Sequence, residues 1–306
     1  MKAITQAAYG GPEQLTLTEH PEPKVAPSEV LIEVKAAGVN PVDWKLGAGY
    51  LDSLMEVHFP LVPGWDVAGV ITALGPDVPE FAVGDEVYGY IRKDSAHLGA
   101  YAERVSANVR MLARKPASLS WSQAAGVPLA GLTALQSIDR TGVTSGDTVL
   151  VHGASGGVGS LGVQIAVARG ARVIGTASER NHEYLRSLGA EPITYGDGLA
   201  DRVKALAPEG VDVVLDFVGG GAVRASVEVH RDRSRLVSIA DGDVVGLGGQ
   251  ALWVRPDSAG LAELGRLADE GKLAVHVEHE LPLAEAARAW ELSQAGRTRG
   301  KIVLTV

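Results

Sequence analysis

Apolar and polar residues alternate over short runs in the first third of the chain, which is the pattern of strands with one buried face. Each run has proline or glycine close by, as expected where strands end. The predicted strands are residues 15–18, 29–34, 66–71 and 86–90. The intervening segment 75–85 is dense in turn residues. This part of the chain is therefore predicted to form a compact all-β unit, either a barrel or a sandwich.

From about Pro116 the pattern changes to short apolar runs that alternate with segments of helical periodicity. The apolar runs predict strands at 148–151, 172–176, 193–195, 211–217 and 235–240. The helical segments are a run through Val158, Leu161 and Ile165, followed by residues 181–188, 199–206 and 222–229. Repeated strand–helix units predict a doubly wound parallel sheet and hence an α/β protein.

The tail of the chain contains further strands. Residues 273–306 predict a strand, a short helix at 283–293 and a closing strand at 301–305, which we expect to return to the first domain. A length of 306 residues also suggests two domains. We therefore predict a first domain of residues 1–118, completed by 274–306, and a second domain of residues 119–273.

Composition narrows the choice of partners. The formal net charge is -9 and basic residues form no long run, which argues against a nucleic-acid partner. Cysteine is absent, which excludes disulfides and thiolate metal sites. Segment 151–170 is about as long as a membrane span, but glycines interrupt it, so no membrane partner is predicted. The amino terminus lacks the apolar run of a signal peptide, and we expect a cytoplasmic protein.

The glycines of segment 151–170 are placed to bind a phosphate. The dinucleotide fingerprint G-x-G-x-x-G follows a predicted strand, with Ala154, Gly156 and Gly159 in its three fixed places. Gly156 lets the backbone approach a pyrophosphate, and the N–H groups at the helix start favour negative charge. The expected cofactor contacts are Ser155, Gly156, Gly157 and Val158. The alternative is a tight turn that binds nothing.

The end of the second predicted strand indicates which dinucleotide binds. An NAD site usually has an acidic residue there, whereas this strand ends with Thr176 and continues to Ser178 and Arg180. Small hydroxyl side chains and a guanidinium suit a 2′-phosphate, and we expect Tyr195 to add its hydroxyl to the same pocket. The sequence therefore predicts NADPH rather than NADH. The alternatives are that Arg180 is a surface helix residue and that Tyr195 lies outside the pocket.

Several sequence blocks, found in order along essentially the whole chain, resemble the medium-chain dehydrogenase/reductase superfamily. The resemblance is to its zinc-free quinone oxidoreductase branch, which includes zeta-crystallin. The blocks are residues 36–43 (AAGVNPVD), 63–69 (PGWDVAG), 83–87 (VGDEV), 128–134 (PLAGLTA), the glycine loop and 300–303 (GKIV).

The resemblance implies a GroES-like β-barrel domain, a Rossmann domain, a cleft between them and a homodimer. It also implies that Thr133 lies near the nicotinamide and that backbone groups of Val218, Ile239 and Ala240 line the cofactor. An apolar strand at 251–254 supports the dimer, because pairing across a two-fold axis would cover a sheet edge.

Zinc-bearing members of the superfamily hold a catalytic metal with a cysteine and a Gly-His-Glu segment. The corresponding places here are Asn40 and the segment Gly64, Trp65 and Asp66. An amide replaces the thiolate, and an indole that cannot bind metal replaces the imidazole. We therefore predict no metal site, and alcohol oxidation loses its Lewis acid.

Without metal, the easiest hydride acceptor is a quinone or an α,β-unsaturated carbonyl compound, because charge moves onto an oxygen that hydrogen bonds can stabilise. Asn40 offers an amide near the nicotinamide or substrate, and Tyr50 matches a tyrosine that faces the cofactor in the family. Asp43 is expected to orient either group. The open alternatives are a backbone-bonded turn residue for Asn40, a turn or cap residue for Asp43, and a packed aromatic for Tyr50.

The sequence thus predicts an NADPH-dependent, zinc-independent oxidoreductase for a small quinone or enone substrate. Two alternatives stay open. An enoyl-thioester reductase would use the same hydride step, and a crystallin-like or sensor protein would bind NADPH without turnover.

Overall fold

Strands outnumber helices in the first part of the chain, and strands alternate with helices in the rest. The computed structural model describes all residues from 1 to 306. The strands are β1 (Lys2–Thr5), β2 (Thr16–Glu19), β3 (Glu29–Val39), β4 (Val57–Val62), β5 (Asp66–Leu74), β6 (Glu86–Tyr90), β7 (Ala96–Leu98), β8 (Arg104–Asn108), β9 (Leu112–Arg114), β10 (Thr148–His152), β11 (Arg172–Thr176), β12 (Ala190–Ile193), β13 (Val213–Asp216), β14 (Leu236–Ser238), β15 (Gln250–Ala251), β16 (Val277–Pro282) and β17 (Lys301–Thr305).

The helices are longest in the middle of the chain. They are α1 (Pro41–Gly47), α2 (Trp121–Ala125), α3 (Pro128–Thr141), α4 (Gly157–Ala168), α5 (His182–Ser187), α6 (Leu199–Leu206), α7 (Ala222–Ser226), α8 (Ser258–Asp269) and α9 (Ala286–Gln294). None of them combines the length and the apolar character that crossing a bilayer requires. The segment 151–170 divides into the end of β10, a loop and α4.

The chain folds into two compact units. The first comprises residues 1–132, 255–271 and 275–306, and the second comprises 133–254 and 272–274. Helix α8 belongs to the first unit because it packs on β9 and because the Tyr88 hydroxyl donates to the Leu261 carbonyl over 2.5 Å. The units are therefore divided at other residues than the predicted domains, whose bounds stay a prediction.

The first unit is built on a seven-stranded sheet in the order β16-β17-β3-β5-β6-β9, with β8 paired to β3. Strand β17 pairs antiparallel with β3, so the last strand of the chain lies beside residues near its beginning. The core of the first unit contains apolar side chains from β3 and β17, together with the indole of Trp290 from α9. This pairing places Lys301, at the start of β17, beside the end of β3.

The second unit contains a six-stranded parallel sheet in the order β12-β11-β10-β13-β14-β15. The chain starts in the middle at β10, runs outward to β12, and then returns to β13. Ligands of such sheets bind beyond the carboxyl ends of the strands where the direction of winding changes. That point lies between β10 and β13, whose last paired residues are His152 and Asp216.

Two predicted strands lie elsewhere. The expected strand 193–195 is observed as Ala190–Ile193, because Thr176 pairs with Ile193 at the end of β11 and the chain then leaves the sheet. Pro192 is accommodated because β12 is an edge strand. The expected strand 251–254 is observed only as Gln250–Ala251, since the chain continues into Arg255 and Pro256 without further pairing.

Candidate functional site

The glycine loop of the second unit forms a backbone cradle at the point where the winding direction changes. Gly153 has a φ of +66°, which turns the chain sharply after β10. A Cβ on Gly159 would lie 2.1 Å from the carbonyl oxygen of Gly153, so only glycine permits this approach of helix and loop. Gly156 precedes α4 and no side chain caps the helix. The first amides of α4, at Gly157 and Val158, therefore point to an open helix end that suits a pyrophosphate.

A buried histidine fixes the base of this cradle. The Ser226 hydroxyl donates to the Ala222 carbonyl over 2.9 Å, so it accepts from Nε2 of His152 over 2.6 Å. Nδ1 of His152 is then the acceptor for the Thr176 hydroxyl at 3.3 Å, and that hydroxyl accepts from the Gly153 amide at 3.3 Å. Burial lowers the pKa of His152 to about 4, which keeps the ring neutral. Thr176 is buried in this chain of bonds.

Two of the predicted 2′-phosphate residues, Ser178 and Arg180, lie on the loop after β11. Nδ2 of Asn181 donates to the hydroxyl of Ser155 over 3.1 Å and to that of Ser178 over 3.5 Å. These bonds bring the glycine loop and the loop after β11 together. Arg180 is exposed on the adjacent 3-10 turn. Tyr195 is 64% exposed and lies in the loop beyond β12 rather than at the end of a strand.

The loops after β13 and β14 present carbonyl oxygens rather than amides. Oδ1 of Asp216 accepts from the amide of Val218 at 3.1 Å, and its Oδ2 accepts from the Ser238 hydroxyl at 2.7 Å. The Ile239 amide donates to the Asp216 carbonyl, and the Ala240 amide donates to the Ser238 hydroxyl. The predicted backbone contacts at Val218, Ile239 and Ala240 therefore have only their carbonyl groups to offer a cofactor. Thr133, on α3, is buried.

In the first unit, Asn40 and Asp43 are joined at the start of α1. Oδ2 of Asp43 accepts from the backbone amide of Asn40 over 2.8 Å and from the hydroxyl of Tyr101 over 2.9 Å. The carboxylate of Asp43 thus closes the first turn of the helix. Asn40 stands at the N-cap of α1 and forms a capping box with Asp43. Asn40 and Asp43 are each only 2% exposed.

The Asn40 side chain also bridges two strands. Its Nδ2 donates to Oδ2 of Asp66 over 2.9 Å, and its Oδ1 accepts from the ammonium of Lys301 over 2.5 Å. Lys301 also donates to the Val39 carbonyl at 3.3 Å and lies 4.0 Å from Asp66. The other oxygen of Asp66 accepts from the amide of Leu129, at the start of α3, over 2.8 Å. We call Asn40, Asp43, Asp66, Tyr101 and Lys301 the buried polar cluster.

Burial sets the protonation of this cluster. It raises the pKa of Asp43 to about 7, assisted by the charge of Asp66 and opposed by the bonds from Asn40 and Tyr101. It raises the pKa of Asp66 to about 6, against the charge of Lys301. Burial also lowers the pKa of Lys301, while both carboxylates raise it. The cluster therefore holds one cation and two carboxyl groups that titrate near neutral pH.

Tyr50 differs from the cluster in being accessible. It follows α1 after Gly49, which has a φ of +84°, and its side chain is 70% exposed. Its ring packs edge-on against Trp44 with 6.3 Å between centroids. The structure thus joins Asn40 to Asp43 directly and leaves the Tyr50 hydroxyl open to a ligand.

The predicted site lacked five residues that the structure connects to it. In the first unit these are Asp66, Tyr101 and Lys301, and in the second they are His152 and Asn181. Asp66 and Lys301 lie within the sequence blocks of the family resemblance, and this was the available signal. His152 directly precedes the glycine loop, but a single histidine there gave no indication of its partners.

Comparisons with known proteins agree with this arrangement. Residues 26–117 match the family model described as alcohol dehydrogenase GroES-like domain, and residues 188–304 match the model described as zinc-binding dehydrogenase. A 2-methylene-furan-3-one reductase of Solanum lycopersicum is 33% identical over 99% of this chain and 79% of its own length. An NADPH-dependent alkenal/one oxidoreductase of Arabidopsis thaliana, named as chloroplastic, has the same identity and coverage.

Solved structures resemble the whole chain. The quinone oxidoreductase of Coxiella burnetii is 35% identical with a TM-score of 0.89, over 100% of this chain and 99% of that protein. A mycobacterial protein solved in complex with NADPH is 31% identical with a TM-score of 0.85, over 100% of both chains. The fold is therefore that of a GroES-like domain joined to a parallel-sheet Rossmann domain.

The donor set at the metal position does not fit zinc. Asn40 presents its oxygen to an ammonium, Trp65 carries an indole, and Asp66 is already bonded to an amide at each oxygen. The charge of Lys301 would repel a second cation at this place. Asn40, Asp66 and Lys301 therefore form a hydrogen-bonded cluster in place of a coordination shell.

Proposed function

Since this chain belongs to the medium-chain dehydrogenase/reductase family, in its zinc-free quinone oxidoreductase branch, we propose that it reduces quinones and α,β-unsaturated carbonyl compounds with NADPH. The observation that carries the proposal is the glycine cradle at the change of winding direction, where a Cβ on Gly159 would collide with the backbone. The related alkenal/one oxidoreductase and the NADPH-bound mycobacterial structure support the same cofactor.

The residues of the second unit would hold NADPH. The amides of Gly157 and Val158 would donate to the pyrophosphate, with Gly156 leaving room for it. On the adjacent loops, Ser155, Thr176, Ser178, Arg180 and Tyr195 form the proposed adenosine side of the site. Among these, Arg180 is the residue whose charge suits a 2′-phosphate. Thr133 and the carbonyl groups of Val218, Ile239 and Ala240 are proposed for the nicotinamide side.

The residues of the first unit would act on the substrate. When bound, NADPH supplies a hydride to the electron-poor carbon of the double bond. The charge that develops on the substrate oxygen then requires hydrogen-bond donors. Asp66 takes one of the two N–H groups on Nδ2 of Asn40, and we assign the second to that oxygen. The exposed hydroxyl of Tyr50 is the proposed proton donor, and Asp43 holds the helix turn that carries Asn40.

A panel of acceptors tests the proposal. Quinones, enones and enoyl thioesters are each mixed with the protein and NADPH, and the loss of nicotinamide absorbance is followed. Turnover of quinones or enones supports the proposed function. Turnover confined to thioesters would assign the chain to enoyl-thioester reduction, and binding of NADPH without any turnover would make it a sensor or structural protein.

We also infer a homodimer that pairs the β15 edge of the parallel sheet. Strand β15 is the last strand of its sheet, and Trp253 beyond it is half-exposed. Light scattering at micromolar concentration should give twice the chain mass, and Trp253→Glu should shift it toward the monomer. Leu17→Glu, a change at an exposed apolar residue of the first unit, is the control. A monomer mass for the unchanged protein would reject the dimer.

The cytoplasmic location stays a prediction. Some relatives are named as chloroplastic and others as mitochondrial, so related chains function in more than one compartment. Cell fractionation with an antibody to the full chain tests the location directly.

A further inference from the structure

We propose that Lys301 is a positioning residue whose ammonium fixes the direction of the Asn40 amide and thereby the rate of reduction. The proposal rests on the proposed function, because that function assigns the substrate oxygen to Asn40. Lys301 is 5% exposed and donates to Oδ1 of Asn40 over 2.5 Å. Lys301 is not among the site residues that we predict from the sequence.

The Asn40 side chain is held by strands of the sheet at both of its ends. Asn40 is the N-cap residue of α1, and Asp43 closes the first turn of that helix by accepting from the Asn40 backbone amide. Lys301 of β17 donates to Oδ1 of Asn40, and Asp66 of β5 accepts from its Nδ2. The direction of the side-chain amide therefore depends on partners that lie on two other strands.

The two partners allow only one direction of the amide. An ammonium can only donate and an ionised carboxylate can only accept. A reversed amide would set Nδ2 against the nitrogen of Lys301 and Oδ1 against the carboxylate of Asp66, and both bonds would be lost. The observed direction leaves the second N–H of Nδ2 as the available donor. That group can stabilise an oxyanion, whereas the amide oxygen would repel it.

Lys301 controls both contacts. Its charge is the largest influence that opposes the burial-driven rise in the pKa of Asp66. Without the ammonium, Asp66 would take up a proton more readily, and a protonated carboxyl group both donates and accepts. It would then no longer distinguish the two ends of the amide. Loss of Lys301 thus removes one constraint directly and weakens the other.

Stability alone does not account for a lysine here. A buried ion pair is often matched or exceeded in stability by apolar residues of similar volume. Lys301→Met keeps most of the buried volume and removes the charge and the donor. A lysine with a merely structural role would therefore affect the melting temperature, and its effect on turnover would be independent of Asn40.

The first test is a double-mutant cycle with Lys301→Met, Asn40→Ala and the double variant. We expect Lys301→Met to lower kcat for an enone by about a hundredfold, the size expected for loss of an oxyanion donor. The Kd for NADPH, measured by fluorescence without substrate, should change less than about twofold. Adding Lys301→Met to Asn40→Ala should cost nothing further. Losses that multiply in the double variant would overturn the proposal.

Lys115→Met is the matched control. Lys115 is also a largely buried lysine of the first unit, with 8% of its side chain exposed, and it pairs with Glu86. It contacts no member of the buried polar cluster, so kcat should be unchanged. If Lys301→Met does not fold, Lys301→Gln replaces it, because glutamine removes the charge and keeps an N–H donor. We expect its kcat to lie between those of Lys301→Met and the unchanged protein, and full activity would overturn the proposal.

The second test does not depend on turnover. The chain has three asparagines, Asn40, Asn108 and Asn181, so selective ¹⁵N labelling of asparagine gives three side-chain amide pairs. Asn40→Ala identifies the Asn40 pair. Lys301→Met should shift and broaden that pair and leave the other two unchanged. An unchanged Asn40 pair would overturn the positioning role, whereas a changed pair in a protein without turnover would leave it intact and reject only the proposed function.

Discussion

The hydroxyl of Tyr101 donates to the carboxylate of Asp43 over 2.9 Å, in a place where neither side chain reaches solvent. The bond connects the loop after β7 to the first turn of α1. The Asp43 carboxyl group lies in a core that disfavours its charge. Burial therefore raises the pKa of Asp43 to about 7.

The raised pKa of Asp43 predicts a pH-dependent stability. In the unfolded chain an aspartate titrates at about 3.9, so the folded chain binds more protons between about pH 4 and pH 7. The stabilisation from this difference is present below about pH 4 and is lost as the pH rises through 7. Asp43→Asn lacks this titration. Its melting temperature relative to the unchanged protein should therefore rise between pH 5 and pH 8, and a constant difference would contradict the assignment.

The ion pair between Arg235 and Asp147 should give a pH dependence of stability that has the opposite sign. Arg235 binds both oxygens of Asp147, at 3.0 and 2.8 Å, and donates to the Thr141 and Gly142 carbonyls. The bond from Arg235 lowers the pKa of Asp147 to about 2, so this stabilisation is present above about pH 4 and lost as the pH falls toward 2.

Arg235→Met should lower the free energy of unfolding by about 2 kcal/mol at pH 7, because it removes the guanidinium from a largely buried carboxylate and from two carbonyls, and the carboxylate keeps only its bonds from Thr144. Urea denaturation measures the change. Arg224→Met, which removes an exposed pair with Asp243, should leave the free energy of unfolding nearly unchanged. Equal losses in the two variants would contradict the difference in burial.

The charge of Arg180 is expected to favour NADPH over NADH. Arg180→Ala should weaken NADPH binding about tenfold to a hundredfold and leave NADH nearly unaffected, because a charge-assisted bond contributes roughly 1.5–3 kcal/mol. Fluorescence titration of each cofactor gives the two Kd values. Arg186→Ala, which removes a nearby exposed arginine paired with Glu183, is the control. Equal weakening of NADPH and NADH by Arg180→Ala would reject the 2′-phosphate contact.

Removal of the Tyr50 hydroxyl should change the rate of reduction without changing cofactor binding. Tyr50→Phe should lower kcat for enone reduction and leave NADPH affinity largely intact, because only the proposed proton donor is removed. Tyr9→Phe is the control, since the Tyr9 ring lies next to Gly49 and its hydroxyl donates to Asp52 over 2.5 Å. Full activity of Tyr50→Phe would assign the proton to solvent and leave Tyr50 as part of the cofactor wall.

The parts of the fold that could be predicted from sequence are those whose elements follow one another along the chain. The cradle was predictable because β10, the glycine loop and α4 follow one another, and the sheet was predictable from repeated strand–helix units. The predicted end of the third strand of the parallel sheet was wrong, because Ile193 and Tyr195 fit the alternating pattern of a strand equally well. Only the pairing with Thr176 shows that the strand has ended before Tyr195.

The buried polar cluster could not be predicted in the same way. Asn40 and Lys301 are separated by 261 residues, and they meet only because β17 pairs with β3 in one register. A shift of that register by one residue would turn the lysine to the opposite face of the sheet. The motif that contains Lys301 indicated the family, but the contact with Asn40 depends on the folded sheet.

The most direct test of the central claim is the fate of the transferred hydrogen. An enone is reduced by the protein with NADPH deuterated at the transferable C4 position, and the product is analysed by mass spectrometry and NMR. Reduction of an activated double bond by hydride transfer predicts one deuterium per product molecule, located on the β-carbon. A product without deuterium at that carbon would contradict the proposed function.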